Sequence, residues 1–484
     1  MSAPRPGEGL SVGGAQYPPG PPHQWPAWSP PPPVPPAPAQ GWTPGRPPGD
    51  ASPRPRPLVV AGLVVLGLLV VALVAAIVDR ADGDETVAPP STIDLSDPEI
   101  TAPPSEEPIV PIPSDPFPIP DELDPDALAR PLAEVLPELI DFVERVRGQE
   151  FVTEPDVQAV PDDEFVDALR QASEGEDDEL RRAQVASTAT GVIDPGTDLV
   201  DLNERAGAVG VLGFYDPATE ELYVKGDVVT PLVQTVIVHE LVHALDDQVF
   251  DLGRLDVLAA RDDETAFGFI ALVEGTARWV EEQFRNSLDI DEQTAVIIEE
   301  TEIGLAQSAA LASVPVPFLV QQQVPYGSGS AFVAALADGG GTAAVDAAYR
   351  DPPTTSEQIL DPDAFARSEP ATEVPGPAAD GVPVEQGAFG AADLRLLEVV
   401  ADPYGGSFDG RFEPFEGFGG GRYVSWEDDG RRCVRIVVEA DSERGSVEIS
   451  EIASSWAASL DGATVSQSGP PASVRFTLER CARG

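Results

Sequence analysis

Histidine, cysteine, lysine and methionine are almost missing from this chain. Among 484 residues there are 3 histidines, 2 cysteines and 1 methionine, and Lys225 is the only lysine. So few nitrogen and sulfur ligands argue against a structural zinc site closed by four cysteine or histidine side chains. Positive charge is scarce as well: 29 Lys and Arg stand against 83 Asp and Glu, a net charge of −54. That balance argues against nucleic acid or anionic lipid as a partner. It suits a protein that stays soluble in strong salt, where self-repulsion is screened.

Two of the three histidines are nevertheless four residues apart, in the run His239, Glu240, Leu241, Val242, His243. On a helix, residues i and i+4 share a face, so both imidazoles can converge on one cation with Glu240 beside them. Zinc held there lowers the pKa of a bound water from about 15.7 to near 7, and a neighbouring glutamate can take the proton as the water attacks a carbonyl carbon. A histidine on an apolar helix face is ordinarily a core or surface residue. In a chain this poor in histidine, that reading loses to the metal site.

A catalytic zinc site needs a third protein ligand. His23 lies in a proline-rich tail and cannot supply it. Position 249, where the longer HExxHxxGxxH pattern places a histidine, holds Val249, which excludes a metzincin site. The third ligand is therefore expected to be a carboxylate. Downstream, Phe267, Ile270, Val273, Ala277 and Val280 recur at helical steps, and Glu274 is the one acid inside that apolar run. A cation would remove the cost of burying it. The alternatives are a solvated Glu274 or a pair with Arg278 at i+4; Glu264, Glu281 and Glu282 sit nearer the polar ends. Gly275 is expected to let this helix approach the HELVH helix.

HELVHALDDQ followed by ALVEGTA resembles the gluzincin metallopeptidases, the thermolysin-like zinc peptidases. The resemblance implies a zincin-like pair of helices, zinc bound by His239, His243 and Glu274, and Glu240 as general base. The chain is also similar to bacterial membrane-anchored proteins carrying YGSGSAFV and PPTTSEQIL segments, over roughly residues 130 to 480. Two positions depart from thermolysin. The aspartate that orients a histidine, four residues past the ligand glutamate, is replaced by Arg278, with Asp246 and Asp247 as possible substitutes. The histidine that steadies the oxyanion has no counterpart; Tyr326 is the candidate by analogy, with a packing tyrosine as the alternative.

Ahead of the motif, AVGVLGFYD and ELYVKGD read as a hairpin turning at Asp216 and Pro217, with Thr230 as N-cap and Pro231 at the first helical position. Such an edge could bind an extended peptide by strand addition, or be a closed structural hairpin.

Leu58 to Val78 is an uncharged apolar run long enough to cross a bilayer of about 30 Å. It is too long for a signal-peptide core, so a retained anchor is expected, although Val74, Ala75 and Ala76 resemble a cleavage site. Arg5, Arg46, Arg54 and Arg56 precede it, which keeps the N-terminus cytoplasmic and the rest of the chain outside. The expected organisation is a proline-rich tail at 1–56, the span at 57–79 and an acidic proline-rich linker at 80–128. A mainly helical catalytic domain follows at 129–366, then a loop and short helix at 367–400 and a C-terminal module at 401–484.

The expected class is α+β: a helical domain with a short hairpin, then a module in which RYVSWE, CVRIVVEA, ATVSQS and SVRFTLERC are strands and SVEISEIASSWAASL a helix. Cys433 and Cys481 lie near the ends of that module. Outside the cytoplasm they are expected to pair, closing a loop worth roughly 4 kcal/mol in the chain-entropy model. Two function classes follow: an extracytoplasmic zinc peptidase acting on peptide or protein, and a non-catalytic cell-envelope binding protein on the same fold. The presence of Glu240 favours the first, because a structural site needs no base.

Overall fold

Thr230 and Pro231 begin the helix that organises the molecule. The Thr230 hydroxyl accepts from the Val233 N–H, Pro231 occupies a position whose N–H would go unused, and Asp251 ends the helix in a left-handed conformation. The computed structural model describes residues 123–483, apart from 173–176, 208–210, 407–408, 416 and 471–473. The proline-rich tail, the apolar run at Leu58–Val78 and the acidic linker up to residue 122 lie outside the described residues. Among the described residues no helix is long and apolar enough to cross a membrane.

The fold is α+β, as expected. Its helices are α1 (Leu132–Arg147), α2 (Asp162–Ala172), α3 (Asp177–Thr190), α4 (Leu199–Gly207), α5 (Pro231–Phe250), α6 (Leu255–Ala259), α7 (Asp263–Ser287), α8 (Ile290–Leu311), α9 (Val316–Gly340), α10 (Thr342–Arg350), α11 (Ser356–Leu360), α12 (Pro362–Ala366), α13 (Ala391–Ala401) and α14 (Glu443–Ser459). Caps fix several starts: Asp262 accepts from the Glu264 N–H at α7, and Asp289 and Glu292 form a reciprocal capping box at α8.

The strands form three sheets. Strands β1 (Arg130–Pro131) and β5 (Val228–Val229) make a short antiparallel pair. Strands β3 (Gly213–Asp216) and β4 (Glu221–Lys225) form the expected hairpin, and β2 (Asp156–Val160) adds to β4 in parallel, giving the order β2-β4-β3 with β3 at the edge. Strand β2 was not expected: DVQAV is a short run in which only Val160 is buried, and its pairing is set by β4.

The C-terminal sheet is antiparallel, in the order β6-β7-β8-β10-β9, with β6 at Pro383–Ala388, β7 at Phe418–Asp428, β8 at Arg431–Ala440, β9 at Thr464–Ser468 and β10 at Arg475–Arg483. Strand β6 corrects one expectation. The stretch from Val374 to Gly390 was read as loop, yet it pairs with β7 along residues 383–388. Cys433 and Cys481 face each other on β8 and β10 and form the expected disulfide, with Cα atoms 4.0 Å apart.

Apolar packing runs without a break from this sheet into the helices. A single cluster contains Phe165 of α2, Phe214 of β3, Leu319 of α9, Ile436 of β8 and Trp456 of α14. Arg480 of β10 donates to the Thr188 and Ala189 carbonyls, and the Trp456 indole donates to the Thr190 carbonyl, so both sheet and helix α14 tie down the end of α3. A second cluster packs α1, α5 and α7 through Val135, Phe142, Leu241, Leu245 and Val280.

Candidate metal centre

The 3.6-residue period of α5 places His239 and His243 on one face, with ring centroids 4.8 Å apart. Helix α7 packs across them and delivers Glu274. Its Oε2 lies 3.4 Å from His239 Nε2 and 3.5 Å from His243 Nε2. These separations exceed those of good hydrogen bonds, and both Nε2 atoms and both Glu274 oxygens lack a hydrogen-bond partner. They do match two ligands on one tetrahedral ion: atoms about 2.0–2.2 Å from zinc lie roughly 3.3–3.5 Å from each other. His239, His243 and Glu274 are 1–3% exposed, so water does not satisfy them. Three convergent buried ligand atoms with no partner are a group that could hold a metal ion.

The electrostatics of the cluster favour a positive charge at its centre. Burial pushes the Glu274 carboxyl up, but His243 and His239 outweigh it and hold it down at about 2. Burial disfavours a charged His239, yet Glu274 and Glu281 outweigh that and raise its pKa to about 10.

Glu240 is fully buried beside the ligands. Its Oε2 accepts the Tyr215 N–H at 2.9 Å, while Oε1 has no partner. Burial, opposed by the two imidazoles, pushes Glu240 up to about 7. Tyr215 is on the outer edge of β3, and its phenol donates to Asp247 Oδ2 at 2.7 Å. The edge strand is therefore pinned to α5 at Glu240 and, two turns later, at Asp247. Gly213 completes the contact: a Cβ there would come 3.1 Å from the Val236 side chain and 3.7 Å from Glu240 Cγ.

Glu281 is the residue that sequence reasoning ranked too low. Its Oε2 lies 3.2 Å from His239 Nδ1, and its Oε1 accepts from Arg278 Nη1 at 2.6 Å. It sits two helical turns past Glu274 on the same face, and that spacing was the available signal. Asp246 and Asp247, named above as possible substitutes for this orienting role, do not hold His239. They lie a turn further along α5 and are taken by other partners: Asp246 accepts from Arg147 of α1 and Tyr349 of α10, and Asp247 from Tyr215 and the Leu252 N–H.

Arg278 bonds to Glu281 and lies 3.5 Å from Glu282, which leaves Glu274 to the histidines. Gly275 requires a correction too. It admits α9 rather than α5, since a Cβ at Gly275 would fall 2.2 Å from the Gly329 carbonyl carbon. That contact seats α9 over the site and brings the Tyr326 ring within 6.2 Å of the His239 ring, at an interplanar angle of 27°. The arrangement can fix a cation with three ligands, leave a further coordination position, and place an unpartnered carboxylate oxygen beside it.

No family model, no curated protein and no solved structure matches the chain.

Proposed function

We propose that this protein is a zinc-dependent peptidase of the gluzincin type, anchored by residues 58–78 with its catalytic region outside the cytoplasm. The observation that carries the reading is the convergence of His239 Nε2, His243 Nε2 and Glu274, all buried and without partners, beside an equally unpartnered Glu240 Oε1. When bound by these three side chains, zinc supplies a Lewis acid and brings the pKa of water down to about 7.

The remaining work falls to the chain itself. Tyr215 N–H holds Glu240 Oε2, so that Oε1 is oriented to take the proton of the attacking water and pass it to the leaving amine. Glu281 holds Nδ1 of His239 and fixes its ring so that Nε2 faces the metal. The outer edge of β3 supplies main-chain groups for an extended peptide, and Tyr326 supplies a hydroxyl for the developing oxyanion.

The second reading is a non-catalytic envelope protein that holds the metal structurally. It draws on the depth of the cluster, in which a substrate reaches the ligands only after neighbouring elements move. The test uses the full-length chain in detergent: zinc content by elemental analysis, and cleavage of a library of unstructured decapeptides followed by mass spectrometry. One zinc per chain, peptide cleavage, and a Glu240→Gln variant that keeps zinc but cleaves nothing are the expected results. A parent that holds zinc and cleaves no peptide supports the second reading.

A further inference from the structure

Helix α9 carries one side chain that neither packing nor the metal accounts for. Gln323 is 2% exposed, and neither its Nε2 nor its Oε1 has a hydrogen-bond partner among the described residues. A buried carboxamide with no partner is disfavoured in a protein interior, and in a native structure it needs a cause. Its neighbours rule out an accident of composition, because Gln321 is exposed and Gln322 half-buried while Gln323 alone turns inward.

The helix period says where it turns. Leu319, Gln323 and Tyr326 recur at steps of four and three, so they form one stripe on α9. At one end of the stripe, Leu319 belongs to the apolar cluster that contains Phe214 of β3. At the other end, the Tyr326 ring lies against His239. Gln323 is thus one turn from Tyr326, on the same face of α9 as the ring that lies beside the metal ligand His239.

We infer that Gln323 is a substrate-binding residue whose carboxamide pairs with the main chain of a bound peptide next to the scissile bond. The inference rests on the peptidase reading above and names how that site recognises its substrate. A carboxamide offers a donor and an acceptor together, which is the complement of a peptide group's C=O and N–H. Recognition of that kind is indifferent to side chains, so it selects extended peptide as a class and imposes no residue preference at the position it contacts.

The test compares the full-length zinc-loaded protein with Gln323→Leu, and with Gln323→Met in case the branched side chain packs badly. The probe is whichever decapeptide the parent cleaves best. Removing an unpaired buried amide is expected to raise the melting temperature by about 2 °C, whereas loss of an internal hydrogen bond would lower it. Zinc content is expected to stay constant. KM is expected to rise roughly tenfold with kcat within about twofold, the signature of a lost ground-state contact.

A lower melting temperature in both variants, or an unchanged KM, overturns the role of Gln323 and leaves the peptidase reading intact. A parent that binds zinc without cleaving any peptide, or binds no zinc, overturns the peptidase reading and this inference together.

Discussion

Glu281 Oε2 lies 3.2 Å from Nδ1 of His239, so the imidazole whose Nε2 faces Glu274 is gripped from behind by a second carboxylate. Arg278 and Arg285 back that carboxylate, at 2.6 and 3.8 Å from its Oε1, and Arg285 in turn pairs with Glu300. The charge that surrounds the metal set is therefore layered: ligands, a carboxylate behind one ligand, and guanidiniums behind the carboxylate.

Loss of that carboxylate should loosen the metal without abolishing the site. Glu281→Ala is expected to weaken zinc binding about 10- to 100-fold in chelator competition, in line with other residues that orient a histidine ligand. Unchanged affinity would mean that helix packing alone fixes the His239 ring.

The approach of α7 to α9 admits no side chain at Gly275. Gly275→Ala places a methyl group 2.2 Å from the Gly329 carbonyl carbon and 2.3 Å from its oxygen. Separation of the two helices is expected to cost about 1–3 kcal/mol, read from the urea midpoint, and to weaken zinc binding because Glu274 moves with α7. Full stability in the variant would show that the two helices can separate at no cost.

Arg147 is wholly buried and donates to Asp246 Oδ1 through Nε and Nη2, at 3.0 and 2.7 Å, and to Asp346 Oδ1 at 3.3 Å. Asp246 also receives the Tyr349 hydroxyl at 2.6 Å. Arg147→Met strands two carboxylates next to the metal helix and is expected to cost about 3–5 kcal/mol in urea unfolding. A double variant, Arg147→Met with Asp246→Leu, should recover much of that loss, because the uncompensated charge and not the missing contact dominates.

Through Glu264, stability should fall as pH rises from 4.5 to about 8. Burial, reinforced by Asp393, pushes this carboxyl up to about 8, although it accepts from Ser356 N and Oγ at 2.7 and 2.8 Å. A carboxyl whose folded pKa exceeds its unfolded value of 4.5 binds more protons in the folded state between the two values. Its neutral form therefore favours the fold at low pH, and that contribution is lost as pH rises through about 8. Melting temperatures of Glu264→Gln are expected to slope less steeply than those of the parent over this window; equal slopes would assign the pH dependence to other groups.

Much of the centre was legible in the sequence because it depends on local spacing. The i, i+4 histidines, the Thr230 and Pro231 start of α5, and an acid stranded in an apolar helix are all readable from one segment at a time. Glu281 was obscured for the same reason that it functions. It sits among Arg278, Glu282 and Arg285, where a charged helix end and a buried ion-pair network look alike until the partner helix is in place. Asp246 and Asp247 failed as substitutes because three- and four-residue steps along α5 allow a shared face but do not decide what packs there; α1, α10 and β3 do. Strand β6 was hidden in a segment crowded with Pro and Gly, whose pairing is set by β7 rather than by its own pattern.

Strand β10 lies inside its sheet, between β8 and β9, and its Phe476 and Leu478 join the apolar cluster that holds Phe214 on the strand beside Glu240. A chain is made from its N-terminus, and segments fold as they emerge. Here the cluster that packs against Phe214 cannot close until residues 475–483 have been made. Packing behind β3, the strand whose Tyr215 holds Glu240, thus waits for a strand made far downstream, whereas the metal helix packs with α1 and α7 in a separate cluster that needs no part of β10.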